Sequence, residues 1–271
     1  MLLCCATFST RFPISVPPNA PRISAAKRIL GHVYFFYMAL LFVSTMLVVF
    51  IPVWITTLMQ EPRRSQLLHP IFRIWMGVFL PLVFCPVRRR GTQHFAQGEN
   101  YVVVCNHNSF MDVPVTSPYI PGPNKTLAKA EMARIPLFGI IYKAGSVLVD
   151  RKSEASRRDS FARMHAALEV GLHLCLYPEG TRNRSGAPMQ PFHDGAFITA
   201  IKAGRPIIPA VLSNTARILP HNLALWAWPR VIHFHFLEPV ATAGLTPNDV
   251  SSLKECIRSR MEAHYLSEAM M

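Results

Sequence analysis

The chain has 271 residues, is 51% apolar and 16% charged, and carries 28 Lys and Arg against 15 Asp and Glu, for a formal net charge of +13. That length allows one large domain or one domain with an appendage. The apolar share and the long hydrophobic runs exclude a disordered chain, a coiled coil and a highly charged solvated tail.

The position of the charge narrows the partners. Residues 1–90 hold ten Lys and Arg and one acid, Glu61, whereas residues 91–271 hold eighteen Lys and Arg and fourteen acids. The excess therefore surrounds hydrophobic segments, where basic side chains can meet anionic lipid headgroups, and this favours a membrane over nucleic acid. Cys4, Cys5, Cys85, Cys105, Cys175 and Cys256 contain no CxxC pair and no zinc-ligand spacing, which is the usage of a reducing compartment.

Taken in chain order, residues 1–28 are rich in Pro, Ser and basic residues and read as a flexible leader, with a short targeting peptide as the alternative. Residues 29–90 read as a membrane-anchoring segment. Val33–Met59 carries no charged side chain and as a helix would be about 40 Å long, enough to cross a bilayer core with tilt. Pro52 predicts a kink or break near its end. A second run, Ile74–Val87, is fourteen residues long and interrupted by Pro81, so an interfacial or re-entrant helix is expected there. A buried helix of a soluble domain is the alternative for either run. The Lys and Arg count votes weakly for the side bearing Arg63 to Arg90 as cytoplasmic.

From residue 91 to 271 the pattern becomes that of an α/β domain. Tyr101–Cys105, Ser146–Val149, His173–Tyr177 and Ile207–Leu212 are short β-rich runs, separated by helix-like Glu131–Tyr142, Ala155–Val170 and Gly195–Ala203. This alternation predicts βαβ units and a mainly parallel sheet flanked by helices. Val231–Phe236 alternates strictly and reads as an edge or half-exposed strand. Thr246, Pro247 and Asp249 supply a cap, a first-turn proline and an acid before a terminal helix reaching about Leu266.

In open α/β sheets chemistry collects beyond the carboxyl ends of the strands. The predicted strands are followed there by Asn106-His107, Asp150-Arg151 and Pro178-Glu179-Gly180-Thr181-Arg182, which would bring a base and two guanidinium groups to one rim. His107 and Asp112, five apart, point away from each other on a continuous helix. With His107 in the strand-end loop and Asp112 in the first turn of the next helix they can meet. The carboxylate would then hold the imidazole tautomer and leave Nε2 as a base. Gly180 would permit close backbone approach, and Arg182 could bind an oxyanion bidentately, with Lys129 and Arg151 adding positive charge. Each of these loop residues taken alone reads better as a Glu–Arg ion pair or a snorkelling cation. His233 and His235 share one strand face and read as structural, and no metal is expected.

The ordered set resembles the glycerolipid acyltransferase family that includes 1-acyl-glycerol-3-phosphate acyltransferases. NHNSFMD is similar to its NHxxxxD block, residues 127–151 to its second block, YPEGTRNRSG to its EGTR block, and RPIIPAVL to its last block. His193-Asp194 depart from it, standing where basic residues are common. The resemblance implies His107 as general base, Asp112 as its orienting partner, and a phosphate-binding set of Lys129, Arg151, Glu179, Gly180, Thr181 and Arg182. Glu179 and Gly180 would shape the loop, and Pro209 would lie near the acyl pocket. It also implies a membrane-bound enzyme moving a fatty acyl group from acyl-CoA or acyl carrier protein to the free hydroxyl of 1-acyl-glycerol-3-phosphate, making phosphatidic acid, without a cofactor. The products and partners would be membrane lipids. The location would be a membrane, the bacterial inner membrane with the catalytic domain on its cytoplasmic side. Glycerol-3-phosphate, another lysophospholipid or an amino-acid lipid remain alternative acceptors. Thioester hydrolysis and non-catalytic membrane binding are readings from other classes. The absence of a GxSxG elbow is consistent with direct attack of the alcohol.

Overall fold

A computed structural model describes residues 23–269. The leader expected over 1–28 lies outside the described residues as far as residue 22. Within its last residues Ser24 already caps a helix, its hydroxyl accepting the Lys27 N–H.

That helix, α1 (Ala25–Thr56), is followed after a short turn by α2 (Arg63–Leu82). Pro52 does not end α1, which continues through it to Thr56. The second hydrophobic run is the latter half of a longer helix: α2 starts eleven residues earlier, at Arg63, and contains Pro70 and Pro81. Its first half (RRSQLLHP) is polar on one side, so a reading tied to continuous hydrophobicity missed it. Val87, expected at the end of that run, opens β1 (Val87–Arg90) instead.

The remaining elements are β2 (Val102–Cys105), α3 (Asp112–Tyr119), β3 (Asn124–Lys129), α4 (Phe138–Ala144), β4 (Ser146–Val149), α5 (Glu154–Glu169), β5 (His173–Leu176), α6 (Gly195–Ala203), β6 (Ile207–Ser213), α7 (Thr215–Ile218), β7 (Ile232–Phe236) and α8 (Val250–Ala269). The strands form one sheet in the order β1-β7-β6-β2-β5-β3-β4. All neighbours are parallel except β6 and β7. The expected mainly parallel α/β architecture is therefore present. Two strands lay outside the sequence reading, VRRR and NKTLAK, because their side chains are polar and their hydrophobic period is too short to register. β1 at the sheet's edge moves β7 inward, so Val231–Phe236 is not an edge strand. The expected helix Glu131–Tyr142 is divided at Pro136 into a 3-10 turn (Ala130–Arg134) and α4, with Leu137 at a φ of 59° between them.

Successive side chains of a strand face opposite sides, and the sheet uses this to build two cores. Val103, Cys105, Ile208, Ala210, Leu212 and Phe234 pack with Met38, Met46 and Val53 of α1 and Leu68, Met76 and Phe79 of α2. Val102, Val104, Leu174, Ile207 and Val211 pack on the other side with Met164 and Leu168 of α5, Phe197 of α6 and Leu253, Ile257 and Met261 of α8. Each such fully buried side chain contributes about 1.5–3 kcal/mol. α1 and α2 share the first cluster of buried side chains with this face of the sheet, α1 packing on α2 and α4. The Gly31 carbonyl of α1 also accepts the Ala227 N–H, and a Cβ at Gly31 would stand 1.8 Å from the Trp226 ring. The outward side of α1 stays apolar: Val33, Leu40, Leu47, Val48 and Ile51 are exposed, as are Ile74 and Val78 of α2.

Candidate active site

β2 and β6 run parallel, and the Asn106 side chain closes their ends, its amide donating to the Leu212 carbonyl (2.9 Å) and its oxygen accepting the Leu212 N–H (2.7 Å). The chain then turns into α3, whose first residue is Asp112. This break between strand and helix brings together two side chains that five helical positions would separate. His107 Nδ1 lies 2.8 Å from Asp112 Oδ2, with the His107 side chain 19% exposed and Asp112 fully buried. The same Oδ2 accepts the backbone N–H groups of Asn108 (2.6 Å) and Ser109 (2.8 Å). Asp112 is thus fixed from three directions, and a carboxylate at Nδ1 calls for a proton there, leaving Nε2 as the open ring nitrogen. The imidazole stacks on Tyr177, centroids 4.4 Å apart, whose hydroxyl lies 2.6 Å from Thr116 Oγ1.

The Glu179–Arg182 loop is bound to the same turn. The His107 N–H donates to Glu179 Oε1 (2.8 Å), the Gln190 N–H donates to Glu179 Oε2 (3.0 Å), and the Asn183 N–H donates to the His107 carbonyl (2.6 Å). Glu179 is therefore buried with both carboxylate oxygens engaged by backbone. This geometry suits the loop-shaping role and not contact with a phosphate, and the anionic charge would itself repel one. Burial pushes the Glu179 carboxyl up, with the two backbone N–H groups opposing.

Gly180 has a φ of 70°, and a Cβ there would lie 2.7 Å from His193 Cδ2 and 3.4 Å from Arg151 Nη1. Only glycine lets the loop take that turn while the two basic side chains close over it.

His107 opens into a cavity of about 800 Å3 that reaches from the sheet rim to the first two helices. Phe42, Phe72, Trp75, Met76 and Ile141 line its apolar part. Lys129, Arg151, Gly180, Thr181 and Arg182 line it on the side of the Glu179–Arg182 loop, joined by Arg157 and His193. Lys129, Arg151 and Arg182 have no carboxylate within ion-pair distance among the described residues. The Arg182 guanidinium sits 3.5 Å above the exposed ring of Phe110, which holds it at the mouth. Pro209 stands elsewhere. It lies within β6, paired with Val104, its carbonyl accepting the Leu237 N–H, and it is not among the residues lining the cavity. Its rigid ring shapes the sheet rather than the pocket.

Sequence reasoning missed Asn106, Tyr177, Phe110 and the apolar lining from α1 and α2. All three stood inside quoted motifs, so position within them was the available signal. The lining had no local signal, because it comes from segments read only for membrane contact.

A mainly parallel sheet whose rim carries a carboxylate-held imidazole, facing both an apolar cavity and unpaired cations, is the layout of an enzyme that handles amphiphilic, anionic substrates. The acyltransferase family model matches residues 86–213. The 1-acyl-sn-glycerol-3-phosphate acyltransferase of Haemophilus influenzae is 32% identical over 190 residues, 69% of this chain and 78% of that protein. The alpha forms of the same enzyme from Mus musculus and Homo sapiens are each 33% identical over 177 residues, 65% of this chain and 62% of theirs. The chain thus spans about six tenths of the mammalian relatives it matches. The crystal structure of the 1-acyl-sn-glycerophosphate acyltransferase of Thermotoga maritima shares the fold, with a TM-score of 0.74 at 19% identity over 91% of this chain and 98% of that one. The chain belongs to the 1-acyl-sn-glycerol-3-phosphate acyltransferase family.

Proposed function

We propose that the protein transfers a fatty acyl group from a thioester, acyl-CoA or acyl carrier protein, to the free hydroxyl of 1-acyl-glycerol-3-phosphate, yielding phosphatidic acid. The observation that carries this reading is His107 Nδ1 held at 2.8 Å by buried Asp112 at the edge of the cavity.

An alcohol needs a base to take its proton as it attacks, and an imidazole, with an ordinary pKa of about 6.5, suits that task. Nε2 takes the proton as the hydroxyl oxygen bonds to the thioester carbonyl carbon. Collapse of the tetrahedral intermediate breaks the C–S bond, and the proton passes to the departing sulfur. Asp112 steadies the imidazolium formed between these steps. Arg182, Arg151 and Lys129 anchor the acceptor's phosphate, and Thr181 offers a hydroxyl beside them. Such anchoring turns binding into orientation and contributes several kcal/mol of the barrier. The apolar part of the cavity receives acyl chain.

The outward apolar faces of α1 and α2 meet lipid, which delivers the site to the plane in which the acceptor's headgroup lies. α1 buries a narrow stripe against α2 and α4, its wide apolar outer face supports contact with the membrane, and its length and hydropathy satisfy those of a span. A cytoplasmic catalytic face remains part of this proposal.

Membranes carrying the protein should release thiol from acyl-CoA in the presence of 1-acyl-glycerol-3-phosphate and not with glycerol-3-phosphate or a phosphate-free monoacylglycerol. Thioester loss at the same rate without acceptor would make the protein a hydrolase. Arg182→Ala should raise KM for the phosphorylated acceptor more than it lowers kcat.

A further inference from the structure

Away from the cavity, four potential metal ligands converge where α8 crosses the far side of β7. His233 and His235 are two apart on the strand and share its face, and His264 and Glu268 are four apart on the helix and share its face. A strand pair thus meets a helix pair. His235 Nδ1 lies 2.8 Å from His264 Nε2 and 2.8 Å from Glu268 Oε1, and the last two atoms are 3.9 Å apart. These are hydrogen-bond separations, and a tetrahedral ion with bonds of about 2 Å holds its ligands about 3.3 Å apart, so the His235 ring would draw back by about half an ångström to admit one. His233 extends the group, since one ligand atom from each of His233, His235 and Glu268 lies within 4.8 Å of the others, and His264 joins it through His235 and Glu268.

We propose that His233, His235, His264 and Glu268 form a binding site for a divalent transition cation, with Zn2+ as the best match. Three imidazoles and one carboxylate are the donor types that suit this ion. The donors are also prepared for it. The Ser213 hydroxyl donates to Glu268 Oε2 at 2.7 Å, which fixes the carboxylate and leaves Oε1 toward the histidines. His235 is buried, and its Nδ1 faces both partners with at most one proton to share. A metal ion resolves that crowding by replacing the proton with a bond to each. His233, His264 and Glu268 are partly exposed, giving an entry path from solvent. Arg90, in register with His235 on β1, opposes the cation, but it is exposed and water screens it.

The site would tie α8 to β7 and, through Ser213, to β6. The next residue back, Leu212, closes on Asn106 beside His107. The ion would thus brace the rim that carries the active site without touching substrate.

The test uses the full chain in detergent, stripped with chelator and titrated with Co2+, whose visible absorption reports histidine ligation, and then with Zn2+ in competition. One ion per chain is expected, with a rise in melting temperature, and His107→Ala should bind it equally. His233→Gln and His264→Gln should each weaken binding by about 10- to 100-fold. Both should keep acyl transfer and the melting temperature of the metal-free wild type. His233→Gln, at a half-exposed strand position, serves if the helix variant fails to fold. Substoichiometric binding, binding lost in His107→Ala, or unchanged affinity in both glutamine variants would overturn the proposal.

Discussion

Replacing Asp112 with Asn removes a charge while keeping the shape, and the geometry dictates which way the amide turns. Two backbone N–H groups, of Asn108 and Ser109, converge with His107 Nδ1 on Oδ2. An amide nitrogen in that place would leave both N–H groups without an acceptor, at roughly 1–3 kcal/mol each. The amide oxygen therefore takes the position, Nδ1 keeps its proton, and the tautomer survives. What is lost is the charge that steadies the imidazolium. A hydrogen bond to a charged group contributes about 1.5–3 kcal/mol and a neutral one about 0.5–1.5, so the difference of about 1–2 kcal/mol predicts a 5- to 30-fold fall in kcat/KM. Asp112→Ala removes the acceptor for all three donors and frees the ring, so a loss on the order of 1,000-fold or more is expected, together with a lower melting temperature. The assay is the initial rate of thiol release from acyl-CoA with 1-acyl-glycerol-3-phosphate in mixed micelles. If Asn proves as damaging as Ala, the two backbone donors do not control the rotamer and the reasoning fails.

Gly180→Ala forces a Cβ onto His193 and toward Arg151 at a positive φ. It should cost about 1–2 kcal/mol of stability and raise KM for the phosphorylated acceptor severalfold while kcat changes little. Unchanged kinetics would separate Arg151 from phosphate binding. Val48 and Ile51 are 76% and 63% exposed on the outward side of α1. Val48→Asp with Ile51→Asp should cut vesicle binding at least about tenfold without lowering the melting temperature in detergent, and equal vesicle binding would remove this face from lipid contact. Burial pushes His173 down to about 4, with Nδ1 accepting the Tyr101 N–H. A depressed histidine contributes stability that is complete above the unfolded value near 6.5 and is lost as pH falls through the folded one. That amounts to about 3 kcal/mol between pH 6.5 and 4. Wild type should lose more melting temperature across that window than His173→Gln, and parallel curves would contradict the burial argument.

How much was legible in the residues depended on the range of the interaction. Tyr101–Cys105, Ser146–Val149 and Ile207–Leu212 announced buried strands because an apolar β-branched run is a local property. NHNSFMD, YPEGTRNRSG and the other blocks placed His107, Asp112 and the basic residues on one rim because strand ends in a parallel sheet share a side. The capping box at Thr246 and Asp249 was equally local. VRRR and NKTLAK became strands only because neighbouring strands supply their hydrogen-bond partners, which no property of four or six residues reveals.

The sequence by itself thus determined the α/β alternation, the family and the residues gathered at the strand ends, since these follow from short-range periodicity and motif spacing. Tertiary structure alone decided that Glu179 grips backbone amides, that Pro209 stands off the cavity, and that Phe42, Phe72 and Trp75 line it. It also decided that α1 and α2 complete the core of the sheet, and that His233 and His235 meet His264 and Glu268. Those facts depend on which distant segments share a face, and that is set by the packing of the whole chain around the sheet.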